Sequence, residues 1–123
     1  ATVMHPSATI GTAQHWGDGI VVCAGVQIST NVRLGSHVHL NPNATIGHDA
    51  VLADFVSINP AATISGEVHV ESETLIGAGA IVLQGLTVGR NTIVGAGAVV
   101  TEDVPSNVVV KGIPGRWGPR RHA

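Results

Sequence analysis

An aliphatic or aromatic residue occupies every sixth position from Ile10 to Val100, sixteen times in succession. The ladder runs Ile10, Trp16, Val22, Ile28 and onward to Val94 and Val100. A period of six fits neither the 3.6-residue helix nor the two-residue alternation of a half-buried strand. It fits a coil with three short flat sides, one hexad per side. Three hexads then close one turn of eighteen residues. Side chains eighteen apart stack at the spacing of neighbouring strands, roughly 4.8 Å.

Two places before each ladder residue the side chain is small or apolar through the middle of the chain, as at Val32, Val38, Ala44, Ala50 and Val56. In an extended segment these two positions share one face, so both point inward. The residue just after the ladder is Gly seven times and Asn twice in the sixteen hexads. Both tolerate unusual turn dihedrals, so the bend between sides is expected there. No coil can bury its own interior; stability must come from stacking. The expectation is an all-β parallel solenoid of about five triangular coils, with a short C-terminal extension.

At 123 residues the chain suits one domain. Only 2% of residues are aromatic although 44% are hydrophobic, which suits a narrow interior built from aliphatic layers. The net charge of −2 gives no bulk attraction to nucleic acid. Cys23 is the only cysteine, so neither an internal disulfide nor a multi-cysteine metal site can form. No apolar run approaches a membrane span, and no signal-peptide pattern is present. With the lone thiol, this suits a reducing, cytoplasmic setting. The pattern fails after Val100, where Pro105, Asn107, Pro114 and Gly115 punctuate the chain. Val108, Val109, Val110 and Ile113 suggest a last strand over the coil end. Residues 1–115 are therefore assigned to the coil domain and 116–123 to a frayed, basic tail.

His48 lies two places past ladder residue Ile46, so it should point outward from a corner. Its neighbours one coil away are Thr30 and Gly66, and the glycine leaves room beside the ring. Asp49 follows directly. A histidine beside a carboxylate is a candidate general base, or simply a polar surface pair. Two GAGA segments, Gly77–Ala80 and Gly95–Ala98, are eighteen apart and should stack into a smooth surface. Asn41 and Asn59 should stack likewise, and His39 should lie beside Ser57. His37 and His39 could chelate a metal, but no third ligand stacks near them, so no metal is expected.

Three stretches resemble one family. NPNATIGHDAVLADFVSINPAATISGEV, beginning at Asn41, is similar to the active-site coil of the sialic-acid O-acetyltransferase and UDP-4-amino-sugar N-acetyltransferase group. ETLIGAGAIVLQGLTVGRNTIVGAGAVVTEDVPSNVVVKGIPGR resembles that group's acetyl-CoA-binding end, and HPSATIG resembles the start of its β-helix. The resemblance implies a left-handed parallel β-helix of hexapeptide repeats, a homotrimer with sites in the grooves between neighbours, and acetyl-CoA as acyl donor. It assigns His48 as the base and Asp49 as its acidic partner. It places Ser57, Gly66, Ala78 and Ala96 along the donor and Asn41 near the acceptor, an amino or hydroxyl group of a sugar or nucleotide sugar; with CoA as donor, the basic C-terminal end offers Lys111 and Arg116 to its phosphates. One departure stands out: the family's second histidine is replaced by Ser57. No strand–helix alternation or glycine-rich phosphate loop marks the sugar-binding domain that usually precedes the helix. The alternative is a β-helical trimerisation scaffold without catalysis.

Overall fold

The structure is a computed structural model and describes residues 1–121. Two-residue strands recur every six residues from Val3–Met4 to Val99–Val100, and each from Thr9–Ile10 onward ends on a ladder residue. They sort into three sheets of eight, six and five strands, which form three faces. Strands eighteen apart pair in parallel, as Ser57 does with both His39 and Leu75 on the first face. The second face carries Thr45 and Thr63, and the third carries Arg33 and Val51.

The ladder is buried from Val22 to Val100, and residues such as Val32, Val38, Ala44 and Val56 fill the interior between its rungs. Burying each such aliphatic side chain stabilises by about 1.5–3 kcal/mol before chain entropy is subtracted. Ile10 and Trp16 are only half-buried, because the first coil has a neighbour on one side. Among the described residues Thr74 and Thr92 are the buried polar ones, and each hydroxyl donates to a carbonyl, of Gly89 at 2.9 Å and Pro105 at 3.1 Å.

The solenoid makes about six turns rather than five, since the second face alone has six strands. The extra length comes from Val3–Met4, before the first ladder residue, and from the segments after Val100.

The bend lies elsewhere than the glycine count suggests. Every sixth residue from Ala13 to Gly97, three past the ladder, has φ between 52° and 77°. Most of these are not glycine; Asn31, His37, Asp49, Phe55 and Glu67 all hold this left-handed conformation. It costs an L-residue roughly 1–2 kcal/mol. An inter-coil hydrogen bond offsets the cost: the amide of Asp49 donates to Thr30 O at 3.0 Å, and that of Glu67 to His48 O at 2.8 Å. The glycines just after the ladder serve close approach instead. A Cβ on Gly47 would sit 2.6 Å from the carbonyl carbon of Ser65, and one on Gly77 would sit 2.6 Å from the amide nitrogen of Ala96.

All three faces are covered at the C-terminal end by the segments after Val100. Val108–Lys111 pairs with Ile93–Val94 on the first face. The loop at 112–115 covers the second, where Val99 donates to Gly112 O at 3.0 Å and Gly115 donates to Val99 O at 2.8 Å. Val104 bridges Val88 on the third. Ile113 belongs to that covering loop, not to the strand, and is 75% exposed.

The expected frayed tail is corrected up to Arg120. Arg116–Pro119 forms an antiparallel strand against Val108–Lys111, with Trp117 opposite Val110 and packed on the core. Arg120 is anchored too, donating to Asn91 Oδ1 at 2.7 Å and Asn91 O at 3.2 Å. The part of the tail expectation that concerns 122–123 lies outside the described residues.

Candidate active site

The chain turns from the second face to the third through residues 47–49. Asp49 takes the left-handed φ of 59°, and this places its side chain beside that of His48. His48 Nδ1 and Asp49 Oδ2 are 2.9 Å apart, with both side chains about half exposed. An ionised carboxylate only accepts, so Nδ1 carries the proton and, in the neutral ring, Nε2 keeps its lone pair. The ring lies over Gly66, one coil on: a Cβ built there would come within 2.8 Å of Cδ2 and Cε1. The glycine is therefore what lets the imidazole lie flat against the corner.

The Asp49 carboxyl has a second partner that the sequence reading passed over. Asn31, eighteen residues earlier, donates from Nδ2 to Asp49 Oδ1 at 2.6 Å. That bond, and then the one to His48, hold the Asp49 carboxyl below its ordinary range, against the opposing effect of burial. Counting back one coil from Asp49 finds Asn31. The side-chain contact itself is not a property of the spacing.

The remaining candidates gather on another corner. Asn41, Ala78 and Ala96 lie where the first face turns into the second. Lys111 continues the same edge, its Cγ 3.7 Å from where a Gly95 Cβ would lie. Lys111 stands opposite Arg116 across the terminal hairpin, beside a shallow groove of about 260 Å3 that also passes Val109 and Gly118. Asn41 is part of a ladder: Nδ2 donates to Ile58 O at 3.0 Å and to Asn59 Oδ1 at 3.2 Å. Only its Oδ1 remains for another partner.

Ser57 sits on the outer surface of the first face, in register with His39 as the eighteen-residue count requires. His39 Nε2 lies 3.7 Å from Cys23 Sγ. His37 does not accompany it: at the third corner, its ring stacks on Phe55 with centroids 5.1 Å apart. The His37/His39 chelate is thereby broken up. Among the described residues no three His, Cys, Asp or Glu side chains gather at metal-binding spacing.

Within one chain, then, the His48 corner and the Ala78–Ala96–Lys111 corner are separated by one side of the triangle. Six residues of extended chain span roughly 20 Å at most. Corners of a convex prism point away from each other, and the flat second face lies between these two. A groove of about 530 Å3 runs along the third face past His15, Arg33 and Val51 and does not include His48.

The bacterial transferase hexapeptide family (six repeats) matches residues 67–102. No curated protein matches the chain. Among solved structures, a perosamine N-acetyltransferase from Caulobacter crescentus, in complex with CoA and GDP-perosamine, is 36% identical with a TM-score of 0.92; the match covers 95% of this chain and 56% of that one. The acetyltransferase domain of PglB from Neisseria gonorrhoeae is 37% identical with a TM-score of 0.93, over 94% of this chain and 57% of its own. WeeI from Acinetobacter baumannii is 32% identical with a TM-score of 0.89, over 95% and 57%. The chain thus spans a little over half the length of these relatives. Its repeat unit and fold are those of the hexapeptide-repeat acyltransferases.

Proposed function

We propose that this chain is the catalytic β-helix of an acetyl-CoA-dependent acetyltransferase that acts on an amino or hydroxyl group of a sugar, with a nucleotide-linked amino sugar as the preferred acceptor. The observation that carries this reading is the His48–Asp49 pair, in which Nδ1 engages the carboxylate and Nε2 makes no hydrogen bond among the described residues. The names of the relatives support the donor and favour an amine: one binds CoA and GDP-perosamine, another acetyl coenzyme A.

In the proposed step the acceptor nitrogen attacks the thioester carbonyl while His48 Nε2 takes one of its protons. Asp49 stabilises the imidazolium that forms. Collapse of the tetrahedral intermediate expels the CoA thiolate, which recovers that proton from His48. No acetyl-enzyme is needed; the rate comes from proton removal and from holding two substrates together. Ala78 and Ala96 would line the pantetheine arm, Gly66 would leave room at the reacting end, and Ser57 would offer a hydroxyl where the family has an imidazole. Lys111 would meet the CoA phosphates, and Asn41 would contact the acceptor through Oδ1. A cytoplasmic setting fits the acetyl-CoA supply.

The separation of the two corners supports a homotrimer in which the donor corner of one copy lies against the His48 corner of the next. Mixing tests this. His48→Ala and a chain blocked at the donor corner, Ala96→Trp, should each be inactive alone, and refolding them together should restore part of the turnover. No recovery would place the whole site within one copy.

A scaffold without catalysis is the second reading, favoured by Ser57 and by the engaged amide of Asn41. Calorimetry with acetyl-CoA separates the two, since a scaffold shows no saturable binding.

A further inference from the structure

The Asp49 carboxylate has one oxygen on His48 and the other on a side chain from the previous coil. The final torsion of an aspartate is broad and poorly held by its own rotamer preference. A partner on the second oxygen removes that freedom. Asn31 is well placed to be this partner. Its backbone holds the left-handed corner conformation, φ 55°, and its amide is tied to Thr12 O at 3.0 Å. Its side chain then reaches Asp49 Oδ1 at 2.6 Å, the shortest side-chain hydrogen bond among the described residues. An amide N–H can only donate here, so Oδ1 is fixed as the acceptor and Oδ2 is left for the ring.

We propose that Asn31 is a positioning residue for the base: it clamps Asp49 so that Oδ2 faces His48 Nδ1, which selects the tautomer with a bare Nε2. The inference rests on the acetyltransferase reading for its use, but not for its geometry. Asp49 has one other ionisable neighbour in its column, Glu67 in the next coil, and it stacks on the side opposite Asn31. Without Asn31 the carboxylate loses the bond that opposes rotation, and His48 is free to take the other tautomer, which isolated imidazoles favour.

The test is nitrogen-15 NMR of the histidine rings in the full chain, with two variants. Asn31→Gly accepts the positive φ and removes the donor. Asn31→Asp keeps the size and replaces the donor with a second carboxylate. The expected result is that neutral His48 has Nδ1 protonated and Nε2 bare in the parent chain, and shifts toward Nε2–H in both variants. The turnover number should fall, with the KM for acetyl-CoA unchanged. An unchanged tautomer in both variants overturns the proposal, whatever the activity. A shifted tautomer in a chain that transfers no acetyl group leaves the positioning role standing and removes the enzymatic reading instead.

Discussion

The imidazole of His48 lies directly over Gly66, eighteen residues on, where a single added methyl would collide with the ring. The coil stacks a glycine against a corner histidine that is paired with a carboxylate. The backbone of Gly66 has no left-handed strain to explain the glycine. Space for the ring explains it.

Gly66→Ala should therefore act on catalysis and hardly on folding. The ring is half exposed and can swing away, so stability should change little. Turnover should fall by about a hundredfold, since a shift of about 1 Å in a reacting group can cost that much. Steady-state kinetics beside a thermal melt would check both halves.

Gly47→Ala should do the reverse. Its Cβ would meet backbone of the next coil, 2.6 Å from the carbonyl carbon of Ser65, and backbone cannot swing aside. A loss of about 1–3 kcal/mol is expected, as for overpacked interiors. Denaturant unfolding would measure it. An unchanged midpoint would contradict the close-approach account of the glycines after the ladder.

His48→Ala should lower acetyl transfer by about 10²–10⁴-fold, the usual contribution of a positioned base. The side chain is exposed and the His48 carbonyl keeps its bond to Glu67, so the fold should persist. Undiminished turnover would remove His48 from the mechanism.

The lowered pKa of Asp49 has a defined sign. Its folded value lies below the unfolded one, so its stabilising contribution is complete above the ordinary carboxylate pKa. It is lost as pH falls through the depressed folded value. Carbon-13 titration of the Asp49 carboxyl should give a midpoint below that of a model peptide. In Asn31→Gly the midpoint should rise, because the largest lowering cause is gone.

Lys111→Ala should weaken acetyl-CoA binding by about two- to fivefold, the range of an exposed charge pair. The loss should shrink as salt is raised, because screening acts on exposed charges. Calorimetry at two ionic strengths would read it. An equal loss at both would point to packing and not to charge.

The ladder, the inward partners and the stacking of His39 on Ser57 and of Asn41 on Asn59 were legible in the sequence. All follow from one number, the period, and stacking at eighteen residues is its arithmetic consequence. The bend was misread for a physical reason. Glycine after the ladder signals close approach as well as dihedral freedom, and composition cannot tell these apart. At the true bend, Phe55 and Glu67 carry no turn signature, because the inter-coil hydrogen bond, not the residue type, holds the conformation. The tail was misread because a strand of Arg, Trp, Gly and Pro has no period; pairing with Val108–Lys111 creates it.

By itself, then, the sequence determined the solenoid and which residues share a column. Periodic burial is a one-dimensional property, and the order of residues encodes it completely. The tertiary structure alone decided how side chains meet within a column and which columns are apart. It brought Asn31 onto Asp49, set Nε2 of His48 free, and put Lys111 on the edge of Ala96, a full side of the triangle from the base. Those outcomes depend on torsions and on hydrogen bonds between coils, which exist only once one coil has stacked on the next.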